Sequence, residues 1–249
     1  MPARDLTLYT VPASHPCAAV AAALELKRLR YRHVELIPLT QIVVGPLRYG
    51  GTTVPGMRLD GERVVGSRAI MRRLDELVRE PPLLPAPGDR SYARVLEAER
   101  WGDEVFQSVP RRIIDAAFLR DPHAMESYAA GAKLPLPVSL MRPSMPLVAR
   151  LMAIRNRASD ESVRADIAGL ARQLERIDGW IEEGLLGGDP PNAADLQLGS
   201  TIRLLLSIAD VRALIEAHPA ARLARYFPPL EGLVPAGTLP VDWLSSVEP

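Results

Sequence analysis

The sequence predicts two units of different class in series: a mixed α/β unit of βαβ-ββα order over residues 1–80, and an all-helical unit over residues 90–249. Three observations carry this. Strand signals lie at 6–10, at 31–36 and on either side of Asp60-Gly61, and none follows residue 80. Residues 80–89 hold four prolines and a glycine, the composition of a linker, which is placed at 81–89. Farther on, Val163, Ile167, Leu170, Leu174, Ile177 and Ile181 step by four and three, the stripe of an amphipathic helix.

The first strand, 6–10, is short, rich in Leu, Tyr and Thr, and closed by Val11-Pro12. A helix opens at Ser14, which suits an N-cap, and Pro16 is tolerated in the first turn because its missing N–H needs no partner there. Cys17, Val20, Ala21 and Leu24 share one face of that helix. Residues 31–36 alternate as a second strand, which makes a βαβ unit with parallel strands and a right-handed crossover. Residues 37–52, punctuated by Pro38, Gly45, Pro46, Gly50 and Gly51, read as a loop holding a single turn of helix. Two strands from residue 53 to 66 meet at Asp60-Gly61, a strong hairpin signal. Ser67 then caps a helix with Ile70, Met71, Leu74 and Leu77 on one face, stopped by Pro81-Pro82.

Beyond the linker, residues 90–119 carry a helical pattern through Val95, Ala98, Val105 and Val109, with a kink or break expected at Pro110. Residues 121–156 are rich in proline and methionine and read as short helices with loops. Leu134, Leu136, Met141, Met145, Leu147 and Met152 make that stretch too apolar for a solvated connection, so it is either core or a lid over a ligand site. The long helix ends before Gly187-Gly188, and Asn192 with Asp195 forms a capping box for a helix that is apolar almost all round over 196–206. Short helices at 211–217 and 220–226 lead to a coil-like tail with Trp243.

Composition narrows the function classes. The 30 basic and 30 acidic residues of the 249 balance, so no electrostatic drive toward nucleic acid or an anionic membrane is expected. One cysteine excludes an internal disulfide, and no leader-like apolar segment precedes the first strand, so a cytoplasmic protein is expected. The most apolar stretch, 134–152, contains two arginines and four prolines, which argues against a membrane span. The four histidines are scattered, so no metal site is expected. The chemistry is expected at Ser14 to Cys17, where unpaired N–H groups and the helix dipole favour an anion such as a thiolate. Ser14 reads as a polar, potentially nucleophilic group or as a cap alone, and Cys17 as a thiolate at the helix start or as a small buried side chain beside Val20 and Leu24.

Three motifs, Ser14-His15-Pro16-Cys17, Val54-Pro55 through the hairpin to Ser67, and Gly187 through Asn192 to Asp195, resemble those of the cytosolic glutathione S-transferase superfamily, in particular a bacterial member. The resemblance spans essentially the whole chain and implies a thioredoxin-like first domain that binds the thiol and a helical second domain that binds the electrophile. It implies a cis bond before Pro55, a backbone pairing of Val54 with the cysteinyl unit of glutathione, and contact of Gly66 and Ser67 with the γ-glutamyl carboxylate. Gly66 stands where family members often carry an acid, and Thr53 where they often carry a base, so two polar anchors are replaced; Arg48, Arg58 and Arg68 are candidate substitutes. Ser14 and Cys17 are the candidate catalytic residues, with Ala13, Trp101 and Phe106 on the substrate side and Asp103, Arg111 and Arg112 as further candidates there. The implied activity is a detoxification-type transferase that ionises glutathione, a cosubstrate rather than a resident cofactor, for attack on a small apolar electrophile. The implied assembly is a homodimer. The alternatives are a thiol-dependent reductase or isomerase using Cys17, and a non-enzymatic binding protein on the same fold.

Overall fold

The computed structural model describes residues 5–245. Strand β1 (Leu6–Thr10), buried along its whole length, is the hub of a four-stranded sheet. Helix α1 (His15–Leu26) returns the chain so that β2 (Arg32–Glu35) lies parallel to β1, with Thr7 opposite Arg32 and Thr10 opposite Glu35. On the other edge β3 (Gly56–Leu59) runs antiparallel to β1 and β4 (Glu62–Val65) antiparallel to β3, giving the order β2-β1-β3-β4. The β3–β4 turn has φ of 50° at Asp60 and 93° at Gly61, the two left-handed residues that a two-residue hairpin matching the sheet twist requires. Helix α3 (Ser67–Leu77) packs beside α1, and Leu8, Val20, Leu24, Met57, Ile70 and Leu74 form a closed core between helices and sheet.

The helical half comprises α4 (Tyr92–Trp101), a π-helical turn (Gly102–Phe106), α5 (Ser108–Arg120), α6 (Ala124–Tyr128), α7 (Val138–Met141), α8 (Met145–Asn156), α9 (Asp160–Glu182), α10 (Ala193–Leu206), α11 (Ala209–Glu216), a 3-10 helix (Pro219–Tyr226) and α12 (Val241–Leu244). The expected capping box closes around α10: Asn192 Oδ1 accepts from the N–H groups of Ala194 and Asp195, and Asp195 Oδ2 accepts from Asn192 N–H. Helix α10 then serves both cores, placing Ala193 and Leu196 among the sheet-side residues and Leu198, Ile202 and Leu205 among those of α9 and α5. Its near-uniform apolarity in the sequence has this cause: apart from Arg203 and Leu206, which are partly exposed, every residue of the helix is buried.

Lys27, at the end of α1, is 4% exposed, and its Nζ donates to Asp75 Oδ1 at 2.5 Å and to the carbonyls of Val78 and Pro81 at 2.6 Å each. Asp75 also accepts from the N–H groups of Leu83 and Leu84, so the buried charge is paired and the proline-rich stretch is tied to α1 and α3.

The local expectations differ from the structure at five points. Residues 37–52 contain an eight-residue helix, α2 (Gln41–Arg48), rather than a single turn, and Tyr49 after it is fully buried. The strand expected from residue 53 begins at Gly56, where a Cβ would stand 2.2 Å from the Tyr49 ring. The break in 90–119 is the π turn; Pro110 sits in the first turn of α5, where its absent N–H costs no hydrogen bond. Gly66, at φ 92°, is the N-cap of α3, and Ser67 is its first residue rather than its cap. The tail after residue 226 is not all coil, since Val234 bridges Ile208 and Trp243 on α12 is buried under Arg120. No helix of the described residues is long and apolar enough to cross a membrane.

Candidate active site

A cavity of about 390 Å³ lies between the sheet half and the helical half. One wall is made by loops at the C-terminal end of β1 and the N-terminal end of α3: Ala13, Ser14, Val54, Pro55, Gly66 and Ser67 all line it. Ser14 holds the N-cap position of α1 with extended backbone, φ −69° and ψ 110°, but its hydroxyl makes no capping bond. Ala13, at φ 57°, turns the chain into that position. The Val54-Pro55 bond is cis, and Val54 precedes the β1–β3 and β3–β4 ladders, both of which begin at Gly56, so its backbone is outside the sheet pairing.

Ser67, 3% exposed, donates its hydroxyl to Gln197 Oε1 on α10 at 3.0 Å, while Gln197 Nε2 is buried with no partner. The hydroxyl therefore links the two halves, and the group Ser67 leaves for a ligand is its helix-start N–H. His15, 4% exposed, also lines the cavity with Nε2 unpartnered. Burial first, and then the Arg111 charge, hold its pKa well below the usual histidine range against the opposing effect of the Gln107 backbone, so the ring is neutral.

The opposite wall comes from the π turn, α5 and the segment from α6 to α8. Asp103, Gln107, Arg111 and Asp115 follow one another at intervals of four and line the cavity as a polar stripe, flanked by Ile114 and Phe118. Asp115 is fully buried; Asn156 Nδ2 donates to its Oδ2 at 2.6 Å and its Oδ1 has no partner. Burial pushes its carboxyl up to about 7, against the pull of the Asn156 hydrogen bond and the Arg111 charge. Burial also raises Asp103, opposed chiefly by Arg68, and lowers Arg111. The rest of the wall is apolar: Met125, Leu134, Met141, Met145, Val148 and Met152 close it from α6 to α8.

The structure thus brings Ser14, Ala13, Val54, Pro55, Gly66 and Ser67 to one cavity, and Asp103 and Arg111 to the facing wall. Four expected site residues lie elsewhere. Cys17 is 4% exposed and outside the cavity lining, and burial, more than its Ser14 and Val11 hydrogen bonds offset, pushes its thiol up to about 12. It is an un-ionised core side chain beneath Ser14. Trp101 stacks on Phe106 at 5.3 Å and meets Trp180 edge-on at 5.5 Å, and Phe106 is fully buried, so this aromatic cluster is core of the helical half rather than substrate wall. Arg112 faces away and pairs with both carboxylate oxygens of Asp166 at 2.6 Å. Asp115, Gln107 and Asn156 were not singled out from the sequence; the signal that finds the first two is the four-residue spacing of polar side chains through an otherwise apolar helix.

A sheet of this order carrying a helix-start serine and a cis-proline loop, followed by a helical half, is the architecture of glutathione S-transferases. Residues 8–82, about the first third of the chain, match the family model described as the glutathione S-transferase N-terminal domain, and the chain as a whole has the fold of solved glutathione S-transferases. Among solved structures it is similar to a glutathione S-transferase from Rhodospirillum rubrum F11 (21% identity, TM-score 0.58, covering 89% of this chain and 85% of that one). It is similar also to maleylacetoacetate isomerase from Anaeromyxobacter dehalogenans 2CP-1 with glutathione bound in its active site (22%, 0.54, 91% of each chain). A third is β-etherase LigF from Sphingobium sp. strain SYK-6 (20%, 0.65, 88% of this chain and 93% of that one). No curated protein sequence matches significantly.

Proposed function

We propose that this chain is a glutathione-dependent enzyme of the transferase or isomerase type, with transfer of the thiol to a small, largely apolar electrophile as the leading reading. One observation carries it: Ser14, the Val54 backbone and the start of α3 line one wall of a cavity whose other wall sets a polar stripe of α5 beside an apolar surface from α6 to α8. A thiol and an electrophile placed on the two walls meet within one enclosed volume, which supplies proximity. Ser14 is the group nearest the N-terminus of α1, so a hydroxyl donor and the helix dipole both favour the thiolate over the thiol, whose ordinary pKa is about 8.5. The thiolate attacks the electrophilic carbon, a C–S bond forms, and the leaving group departs with the bonding electrons; the thiol proton goes to solvent.

Within this reading, Val54 N–H and C=O receive the cysteinyl unit as an added strand, and the Ser67 N–H receives the γ-glutamyl carboxylate in place of the hydroxyl, which is engaged by Gln197. The reductase alternative needs an ionisable cysteine, and Cys17, buried and raised to about 12, does not favour it. As the resemblance implies, the working form is a two-fold dimer, which light scattering at micromolar protein checks. The direct assay is conjugation of glutathione to chlorodinitrobenzene. Turnover that saturates in both substrates is expected; glutathione binding without turnover of this or other electrophiles would leave a binding protein.

A further inference from the structure

The electrostatics of the helical wall say more about the substrate than that it is apolar. Arg111 lies on the cavity face of α5 and is mostly buried; its one side-chain hydrogen bond goes to neutral Gln107 Oε1, at 3.2 Å. Arg155, on α8, lines the same cavity. Among the described residues neither guanidinium has a carboxylate within ion-pair distance; burial lowers Arg111, and the more distant charges of Asp115 and Asp103 offset this only in part. Buried charges are ordinarily paired, because an unpaired one forfeits its hydration with no return. The carboxylates in reach do not serve. Asp115 is held by Asn156 through Oδ2, and Asp103 lies toward Arg68. Asp115, four residues on from Arg111 and also lining the cavity, has a buried Oδ1 with no partner. Arg111, a largely buried cation without an ion-pair partner, the exposed guanidinium of Arg155 and one orphaned carboxyl oxygen therefore meet at a single end of the cavity, and the apolar side chains of Phe118, Met145 and Met152 stand next to them.

We infer that the electrophilic substrate carries a carboxylate, held by Arg111 and Arg155 at the α5–α8 end of the cavity, with its apolar body against Phe118, Met145 and Met152. A guanidinium binds a carboxylate through two parallel N–H donors, a match that a neutral isostere lacks. Asp115, when protonated, donates from Oδ1 to the same carboxylate, which satisfies the orphaned atom. The inference rests on the transferase reading only in taking this cavity as the substrate site.

The test is calorimetric titration of the full chain with phenylbutyrate, with its amide, and separately with glutathione. The wild type should prefer the acid to the amide by about tenfold or more, the ordinary worth of a charge-assisted hydrogen bond. Arg111→Gln should abolish that preference. Arg155→Gln, at an exposed position that the fold does not depend on, should reduce it severalfold; both should leave glutathione affinity within about twofold. Equal affinity for acid and amide in the wild type would overturn the inference. So would a preference that survives both substitutions, or a loss of glutathione affinity as large as the loss for phenylbutyrate, which would assign the guanidiniums to the thiol's own carboxylates. Preference for the acid without any glutathione binding would support this site and contradict the transferase reading, so the two failures are distinguishable.

Discussion

Two side chains three residues apart, Ser14 and Cys17, have opposite fates because α1 buries one face. Ser14, at the N-cap, faces the cavity, and Cys17, one turn on, faces the core. Ser14→Ala should therefore lower kcat/KM for thiol conjugation by about 10²-fold, the scale set by loss of one donor to a developing anion. Cys17→Ala should leave it near the parent value; the reverse ranking in a conjugation assay would move the chemistry to the cysteine. Asp115 gives a second prediction, from proton linkage. Its folded pKa, about 7, is raised above the ordinary carboxylate range by burial, so the folded state holds a proton that the unfolded chain releases at lower pH. Such a group favours the fold below the unfolded pKa, and its contribution is lost as pH rises through 7. Asn at this position keeps a neutral side chain at every pH. The melting temperature of Asp115→Asn should accordingly gain on the parent between about pH 5 and pH 8, by an amount worth a few kcal/mol at most. Parallel profiles would mean that Arg111 and Asn156 keep the carboxylate ionised in the fold.

At the scale of elements, the segment from α6 to α8 forms the outer wall of the cavity, with Met125, Met141, Met145 and Met152 turned inward. Methionine is unbranched and polarisable, so such a wall adapts to apolar ligands of different shape. Replacing Met141 and Met145 by serine should raise KM for the electrophile severalfold and leave KM for the thiol nearly unchanged. If both constants stay the same while the melting temperature falls, the segment is core and not lid. The same elements show what the sequence makes legible. Asp60-Gly61, the Asn192–Asp195 capping box and the stepping stripe of α9 are signals whose partners lie within a few residues, and each element stands where they place it. The failures are of another kind. Trp101 and Phe106 have the spacing of a ligand-facing pair, yet they stack on each other, and Trp180, far along the chain, packs edge-on against Trp101. Ser67 has the composition of a cap, but Gly66 takes that position and Gln197, 130 residues away, takes the hydroxyl. Which face of a helix meets the cavity is decided by elements that the local pattern does not contain.

For the whole molecule, the sheet half and the helical half are joined by contacts that also shape the cavity. α10 contributes to both cores, Ser67 is bonded to Gln197, and Leu83 C=O accepts from Ala193 N–H at 2.7 Å. The layout was legible because composition changes at the proline-rich stretch; the joint was not, because Leu83 and Gln197 carry no sequence mark of burial against the other half. The central claim is that the wall formed by Ser14, Val54 and Ser67 binds glutathione even though Thr53 and Gly66 replace two polar anchors common in the family. Calorimetric titration of the full chain with glutathione, against the S-methyl derivative as a control for the thiol, tests it most directly. The account predicts saturable binding in the millimolar range or tighter, a free energy of about −4 kcal/mol or better, with proton release for glutathione that is largest at pH values below the free thiol pKa of about 8.5, fades above it, and is absent for the derivative. No heat and no saturation at several millimolar thiol would contradict it.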